Sequence, residues 1–309
     1  MNQIFKSATP LFLICLLIYP FSSCNSPAVS ATDVTSRKID SLIEIHKINE
    51  QCLLIKFGTD AITALKTKKG IVVVDAGISS GLTARYRKII ENEFQGNDFL
   101  FVINSHGHPD HNGGNLIFSE SSIIGHVNSI KEMSEQLNNA ENRANYLNKI
   151  VDDYEMQLKA SDPEKKEWDG IFTQKIKYLY AYYDARNSVA VKQPDIMFSD
   201  SLTINLGDVT LEMKYFGKCH SNSDILIYIP EMAILFNGDL FSKYGRPGID
   251  SKLIPDYNRW QQSVYWTEKR MNMIEKIIDG HGQILSTDDL KAFNSKMMER
   301  SSAEISLPE

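Results

Sequence analysis

The chain has 309 residues, 42% hydrophobic and 23% charged, with 33 Lys+Arg against 39 Asp+Glu for a formal net charge of −6. That composition supports a globular core and excludes wholesale disorder; with no Lys/Arg-rich block, it also argues against nucleic acid as a partner. Four cysteines are too few for a disulfide-built scaffold, and the only long apolar stretch lies at the N-terminus, which excludes a polytopic membrane protein.

Residues 1–23 read as an export signal. Lys6 supplies the positive end, and Leu11–Phe21 is an apolar run interrupted by Pro20, short of the about 20 residues that a spanning helix needs. The run ends in Phe21-Ser22-Ser23-Cys24, which resembles a bacterial lipobox. The resemblance implies cleavage before Cys24, a lipid on its thiol, and a membrane contact through that anchor alone. An ordinary signal peptide cut nearby, with Cys24 incidental, is the alternative. Either reading puts the domain outside the cytoplasm, in the periplasm or cell envelope. Residues 24–37 are small and polar and read as a tether, which leaves 38–309 for the folded domain. There, Cys52 and Cys219 can pair in an oxidising compartment or remain two buried free thiols.

Ile43–Ile48, Cys52–Phe57, Ile62–Leu65 and Ile71–Val74 are short apolar runs between turn residues, predicting a β-meander. Ser79 or Ser80 can cap a helix running to about Phe94, with Leu82, Tyr86, Ile89, Ile90 and Phe94 at helical spacing. Leu100–Ile103 and Ile123–Ile124 predict further strands. From about 128 to 190 the character changes. Met133, Leu137, Ala140, Ala144, Leu147, Val151, Tyr154 and Leu158 form one seam along a long helix. Ser161-Asp162-Pro163-Glu164 fits a stop followed by a capping box, and Trp168, Ile171, Phe172, Ile176 and Leu179 give a second helical face. This predicts an inserted antiparallel helical hairpin that serves as packing, as a lid or as a dimer seam. Strands resume at Leu202–Ile204, Val209–Tyr215, Ile225–Ile229 and Ala233–Phe236, and helices over Trp260–Ile277 and Asp288–Met298 close the chain. Several strands followed by helices, twice over, suit an α/β class with two sheets face to face and helices outside.

The chemistry concentrates in His106-Gly107-His108-Pro109-Asp110-His111, four possible ligands directly after a strand. Imidazole and carboxylate are donors that divalent metals such as zinc accept. In extended backbone alternate side chains share a direction, so His106 and His108 can reach one ion. Asp110 and His111 lie past the turn and can face a second. Three later residues sit in loops at element ends: His220 in Gly217-Lys218-Cys219-His220, Asp239 in Asn237-Gly238-Asp239, and His281 in Asp279-Gly280-His281-Gly282. Loops at element ends are where sites are usually built.

This order of motifs, together with Asp75 in Gly70-Ile71-Val72-Val73-Val74-Asp75-Ala76-Gly77, resembles the metallo-β-lactamase-fold superfamily over roughly residues 40–300 outside the helical insertion. The resemblance implies a four-layer αββα sandwich with a two-metal site at one edge of the sheets. In it His106, His108 and His220 hold the first metal, Asp110, His111 and His281 hold the second, Asp239 bridges both, and Asp75 orients the ligand loop. The cysteine-bearing β-lactamases of the family have Cys where this chain has Asp239. The chain therefore resembles the carboxylate-bridged branch, such as glyoxalase II-like thioesterases and lactonases.

The implied cofactors are two divalent ions, zinc by donor type, with iron or manganese as alternatives. The implied activity is hydrolysis of an ester, thioester, lactone or amide of a small molecule by hydroxide generated at the metals, with Asp110 orienting it. A one-iron enzyme resembling the persulfide dioxygenases and a β-lactamase-like hydrolase are alternatives; a non-catalytic, metal-stabilised binding protein is a third class. Among the remaining candidates, His126 reads as structural, His46 as solvent-facing, and Tyr244, Arg246 and Tyr257 as loop residues able to touch substrate. Tyr178, Tyr180, Tyr182 and Tyr183 either line a pocket or pack.

Overall fold

The structure, a computed structural model, describes residues 33–243, Gly248 and 253–305. The export signal, Cys24 and the tether up to residue 32 lie outside the described residues, as do Tyr244 and Arg246. By internal contacts the chain divides into residues 1–38 and 39–309. Of the first unit, the described part is the opening of helix α1 (Asp33–Ser41). A helix thus begins inside the stretch read as tether. Lys38 stands in its last turn, where a cation complements the helix dipole.

In the second unit β1 (Glu44–Asn49), β2 (Cys52–Phe57), β3 (Asp60–Thr67) and β4 (Gly70–Val74) form the antiparallel meander. Helix α2 (Ser80–Phe94) starts on Ser79, whose Oγ accepts the Leu82 N–H. It brings β5 (Phe99–Ile103) parallel to β4. After the single turn α3 (Pro109–Asn112), β6 (Ser122–His126) lies parallel to β5. Three helices, α4 (Ser129–Asn138), α5 (Ala140–Ala160) and α6 (Lys166–Arg186), then connect β6 to its parallel neighbour β7 (Ile196–Phe198). Parallel neighbours need such a crossover because no tight turn can join them.

The second sheet starts with β8 (Ser201–Asn205), β9 (Thr210–Tyr215), β10 (Ile225–Ile229) and β11 (Ile234–Phe236), all antiparallel. Helix α7 (Tyr257–Glu268) leads to β12 (Lys276–Ile278), parallel to β11; β13 (Ile284–Leu285) returns antiparallel and α8 (Thr287–Ile305) follows. The sheets run β1 to β7 in chain order and β13-β12-β11-β10-β9-β8.

Three separate cores mark the layers. Leu53, Ile55, Ile62 and Val73 point to α2 and α6 and pack with Leu82, Tyr86, Ile90, Phe172 and Ile176. Their neighbours Cys52, Leu54, Val72 and Val74 point the other way and meet Leu211, Met213, Ile225 and Ile227 of the second sheet. Beyond it, Leu226, Tyr228 and Leu235 pack on Trp260, Val264, Leu290 and Phe293 of α7 and α8. Each central strand is covered on both faces, which is why these strands read as unbroken apolar runs. The order helix, sheet, sheet, helix is the αββα sandwich expected from the sequence.

The long helix expected through Met133–Leu158 is two helices, broken at Asn139 (φ −111°, ψ 24°). Asparagine competes with helical hydrogen bonding, and here Asn139 Nδ2 donates to Glu135 O. Helices α5 and α6 do form an antiparallel hairpin: Tyr154 stacks on Tyr178 at 5.9 Å, and Lys175 pairs with Glu155. Phe172, Ile176 and Ala181 of α6 lie in the first core, so this arm of the hairpin is structural packing. The helix expected over Trp260–Ile277 stops at Glu268, because Lys276–Ile278 pairs with β11 as a strand. His281 consequently follows a strand rather than a helix. Cys52 and Cys219 are free and buried, in different cores. Among the described residues no helix is long and apolar enough to cross a membrane.

Candidate metal centre

The two sheets present their ligand loops at one edge. Asp75 follows β4 and His106–His111 follow β5, its parallel neighbour; Asp239 follows β11 and His281 follows β12, again parallel neighbours. His220 lies in the loop before β10. Sites of α/β proteins gather at such strand ends.

Three imidazoles converge. His108 Nδ1 is 3.0 Å from His106 Nε2 and 3.0 Å from His220 Nε2. Zinc–nitrogen bonds of about 2.0–2.1 Å in tetrahedral geometry separate donors by roughly 3.3 Å, so this spacing suits one shared cation. His106 is fully buried. Burial, and then the neighbouring His111 and His108, push its pKa well below the ordinary value, so it is neutral and able to bind metal.

A second set faces it. The donor atoms of Asp110, His111 and His281 lie within 4.8 Å of one another, as do those of His106, His108 and His220 and those of His106, His111 and Asp239. Asp239 Oδ2 is 3.6 Å from His111 Nε2, 3.6 Å from His220 Nε2 and 3.2 Å from His281 Nε2, which puts one carboxylate between the two sets. Burial opposes its charge, but His281 and His111 outweigh that and hold its carboxyl well below the usual range. Burial likewise opposes ionisation of Asp110, yet His111, Lys177 and His281 keep it lowered.

The outward nitrogens are fixed by hydrogen bonds. Asp75 Oδ2 is 2.9 Å from His111 Nδ1, Ser105 Oγ is 3.1 Å from His106 Nδ1, and Thr59 O is 2.8 Å from His281 Nδ1. Each bond occupies one ring nitrogen and leaves Nε2 facing the centre. His111 Nε2 and Asp239 Oδ1 are buried and have no hydrogen-bond partner. Unpartnered buried groups of this kind are costly unless something accepts their lone pairs, and a cation does so. On these grounds the residues fit two divalent ions. Gly280 makes room for the arrangement: a Cβ there would lie 2.5 Å from His111 Cε1 and 2.6 Å from Asp239 Oδ1.

Every ligand position picked out from the sequence thus lies at this centre. His126 does not: its Nε2 is 3.1 Å from Ser199 O, and its ring stacks on Tyr215 at 3.8 Å. His46 is exposed on β1. Tyr178 stacks on Tyr154, and Tyr257 on Trp260. Sequence reasoning missed the supporting shell. Ser105 donates both its N–H and its hydroxyl to Asp75, and Asn104 and Asn115 exchange side-chain hydrogen bonds beneath the loop. Buried Lys177 of α6 donates to Thr59 Oγ1 at 3.1 Å. No motif marks such residues; only their proximity in space does.

Comparison with known proteins bears on the fold and the family. The family model described as the Metallo-beta-lactamase superfamily matches residues 58–273. A type 2 metallo-β-lactamase of Bacillus cereus is 20% identical over 220 residues, 71% of this chain and 66% of that protein. One from Bacteroides fragilis is 25% identical over 95 residues, 31% of this chain and 38% of that protein. The match therefore spans less than two thirds of either relative. Among solved structures, a metallo-β-lactamase from Pontibacter korlensis aligns with a TM-score of 0.55 at 17% identity, covering 83% of this chain and 99% of that one. The mono-zinc form of FIM-1 from Pseudomonas aeruginosa gives a TM-score of 0.56 at 13% identity, covering 84% and 96%. With seven donor side chains meeting at the edge of an αββα sandwich and a family match over most of its length, the chain belongs to the metallo-β-lactamase superfamily.

Proposed function

We propose that the chain is a metal-dependent hydrolase acting on the carbonyl of an ester, thioester, lactone or amide. The observation that carries this reading is the position of Asp239 between two donor sets, 3.6 Å from both His111 and His220. In it, His106, His108 and His220 hold one divalent ion, Asp110, His111 and His281 hold another, and Asp239 serves both. Zinc suits imidazole and carboxylate donors, with iron or manganese as alternatives. Such ions, when bound, supply Lewis-acid activation of water and of the carbonyl oxygen.

The protein's own groups do the rest. Asp110, ionised at neutral pH, would accept a hydrogen bond from the attacking water at a carboxylate oxygen and so orient it. Asp75, Ser105 and Thr59 keep the imidazoles in the tautomer that turns Nε2 inward, so little reorganisation accompanies reaction. A carboxylate at Asp239 in place of the cysteine of the cysteine-bearing β-lactamases favours the glyoxalase II-like branch. The names of the relatives, type 2 metallo-β-lactamases, favour a β-lactam amide instead. Export and a lipid on Cys24 belong to the same reading, supported by residues 1–24 of the sequence.

The test is metal analysis of the purified protein followed by assay on lactones, thioesters, phosphodiesters and a chromogenic β-lactam. Two zinc ions per chain with turnover of a carbonyl substrate is the expected result. One iron per chain with consumption of dioxygen would transfer the protein to the persulfide dioxygenase-like class. Loss of stability on chelation without turnover of any substrate would make it a binding protein.

A further inference from the structure

Helix α4 touches the two imidazole loops of the candidate metal centre through backbone groups and the Ser223 hydroxyl. Its N-cap residue Asn128 and the residues four and eight positions later, Glu132 and Gln136, lie on one helical stripe. Asn128 Nδ2 donates to Asn222 O at 2.9 Å, and Glu132 Oε1 accepts the Asn222 N–H at 2.8 Å, so both backbone groups of Asn222 are held. Gln136 Nε2 donates to Gly107 O. The Gly107 N–H donates to Ser223 Oγ at 2.8 Å, and that hydroxyl donates to Glu132 Oε2. Gly107 stands between His106 and His108; Asn222 and Ser223 follow His220. Glu132 thus holds the His220 loop through Asn222 and Ser223, Ser223 carries the link on to Gly107, and Gln136 holds the Gly107 carbonyl, so α4 joins the two loops that present all three converging imidazoles across 116 positions of sequence between Gly107 and Ser223. The fit is close: a Cβ on Gly107 would lie 2.4 Å from Glu132 Oε2 and 2.7 Å from Glu132 Cβ.

We propose that Asn128, Glu132 and Gln136 form a positioning clamp by which α4 sets the separation of the His106/His108 loop from the His220 loop, and with it the affinity of the three-imidazole set for its metal. A charged acceptor is suited to this task, since hydrogen bonds to a carboxylate are shorter and stronger than neutral ones. The three residues act through backbone and Ser223. A displacement of one loop by about 1 Å is enough to spoil a preorganised donor set.

This inference rests on the proposed function only in taking His106, His108 and His220 as a metal site, and its test needs no substrate. Glu132→Ala, Glu132→Gln and Gln136→Ala are made, with Glu135→Ala on the exposed side of the same helix as control. Metal-free proteins are titrated with Co(II) against a chromophoric chelator, the visible spectrum of the loaded forms is recorded, and amide exchange is followed over residues 104–108 and 220–224 before loading. Glu132→Ala is expected to lose about 10- to 100-fold in affinity at one of two sites, with a changed cobalt spectrum and faster exchange in both loops. Glu132→Gln, which keeps an acceptor for Asn222, recovers most of the loss; Gln136→Ala falls between, and Glu135→Ala matches wild type. Wild-type affinity and spectrum in Glu132→Ala overturn the clamp. If Glu132→Ala does not fold, the same comparison between Gln136→Ala and wild type decides it. A wild-type chain that binds no metal overturns this inference and the proposed function together, whereas normal metal binding without hydrolysis overturns the proposed function alone.

Discussion

Asp75 Oδ2 lies 2.9 Å from His111 Nδ1, and this contact determines which nitrogen of His111 faces the metal centre. The other oxygen of Asp75 accepts the Ser105 N–H at 2.7 Å, so the same side chain anchors the start of the ligand loop. Asp75 itself adopts a left-handed backbone (φ 58°), a conformation that Asp tolerates better than most residues. In Asp75→Asn one oxygen still serves Ser105, but the amide NH₂ confronts His111 Nδ1 and favours the wrong tautomer. Metal affinity of the set containing His111 is expected to fall about 10- to 100-fold, measured by chelator competition, with the fold unchanged by circular dichroism.

Gly280 tests the centre by space alone. The Cβ of Gly280→Ala meets His111 Cε1 at 2.5 Å and Asp239 Oδ1 at 2.6 Å, and neither atom belongs to a flexible chain end. Separation of His111 from Asp239 is the expected consequence, read as loss of one metal per chain in elemental analysis. Unchanged stoichiometry would show that the loop gives way elsewhere.

Asp110→Ala removes a carboxylate held ionised by His111, Lys177 and His281 against the cost of burial. If this group orients the attacking water, kcat falls by about 10²-fold or more. His220→Ala takes one of three imidazoles from the first set and is expected to abolish turnover as well. Both variants keep the wild-type circular dichroism spectrum, because neither side chain lies in a hydrophobic core.

The cysteines give a pH prediction remote from the chemistry. Burial pushes the Cys52 thiol up to about 12 and raises Cys219 well above its ordinary value. For an acid whose folded pKa is raised, folding favours the protonated form. The stabilisation is complete below the unfolded value of about 8.5 and is lost as pH climbs towards about 12. Cys52→Ala is expected to lessen the decline of stability over that alkaline window by up to about 1.4 kcal/mol per pH unit, read from urea midpoints. At pH 8 neither thiol is alkylated in the native protein, and both are in urea, as site-resolved mass spectrometry would report.

The strands and the seven donor side chains were legible because each leaves a local trace. Central strands covered on both faces give unbroken apolar runs, and ligands at strand ends come with the small residues their loops require, as in Gly280-His281-Gly282. What escaped was set by contacts remote in sequence. Lys276–Ile278 carries helical neighbours but becomes a strand because Ile234–Phe236 offers it an edge. Asn139 breaks a seam that continues past it on either side. Glu132 sits beside the apolar seam of an amphipathic helix, where a carboxylate reads as ordinary surface; only the meeting of Gly107 with Asn222 and Ser223 gives it a task.

His281 Nδ1 bonds the carbonyl of Thr59 across 222 positions of sequence. A nascent polypeptide that has reached α3 already carries four of the seven donors, yet it lacks His220, Asp239 and His281, which follow more than a hundred residues later. A chain that stops short of these would present the His106–His111 loop to an ion but could complete neither the His106/His108/His220 set nor the Asp110/His111/His281 set. In the proposed two-ion reading, loading of both donor sets waits until His281 has been made.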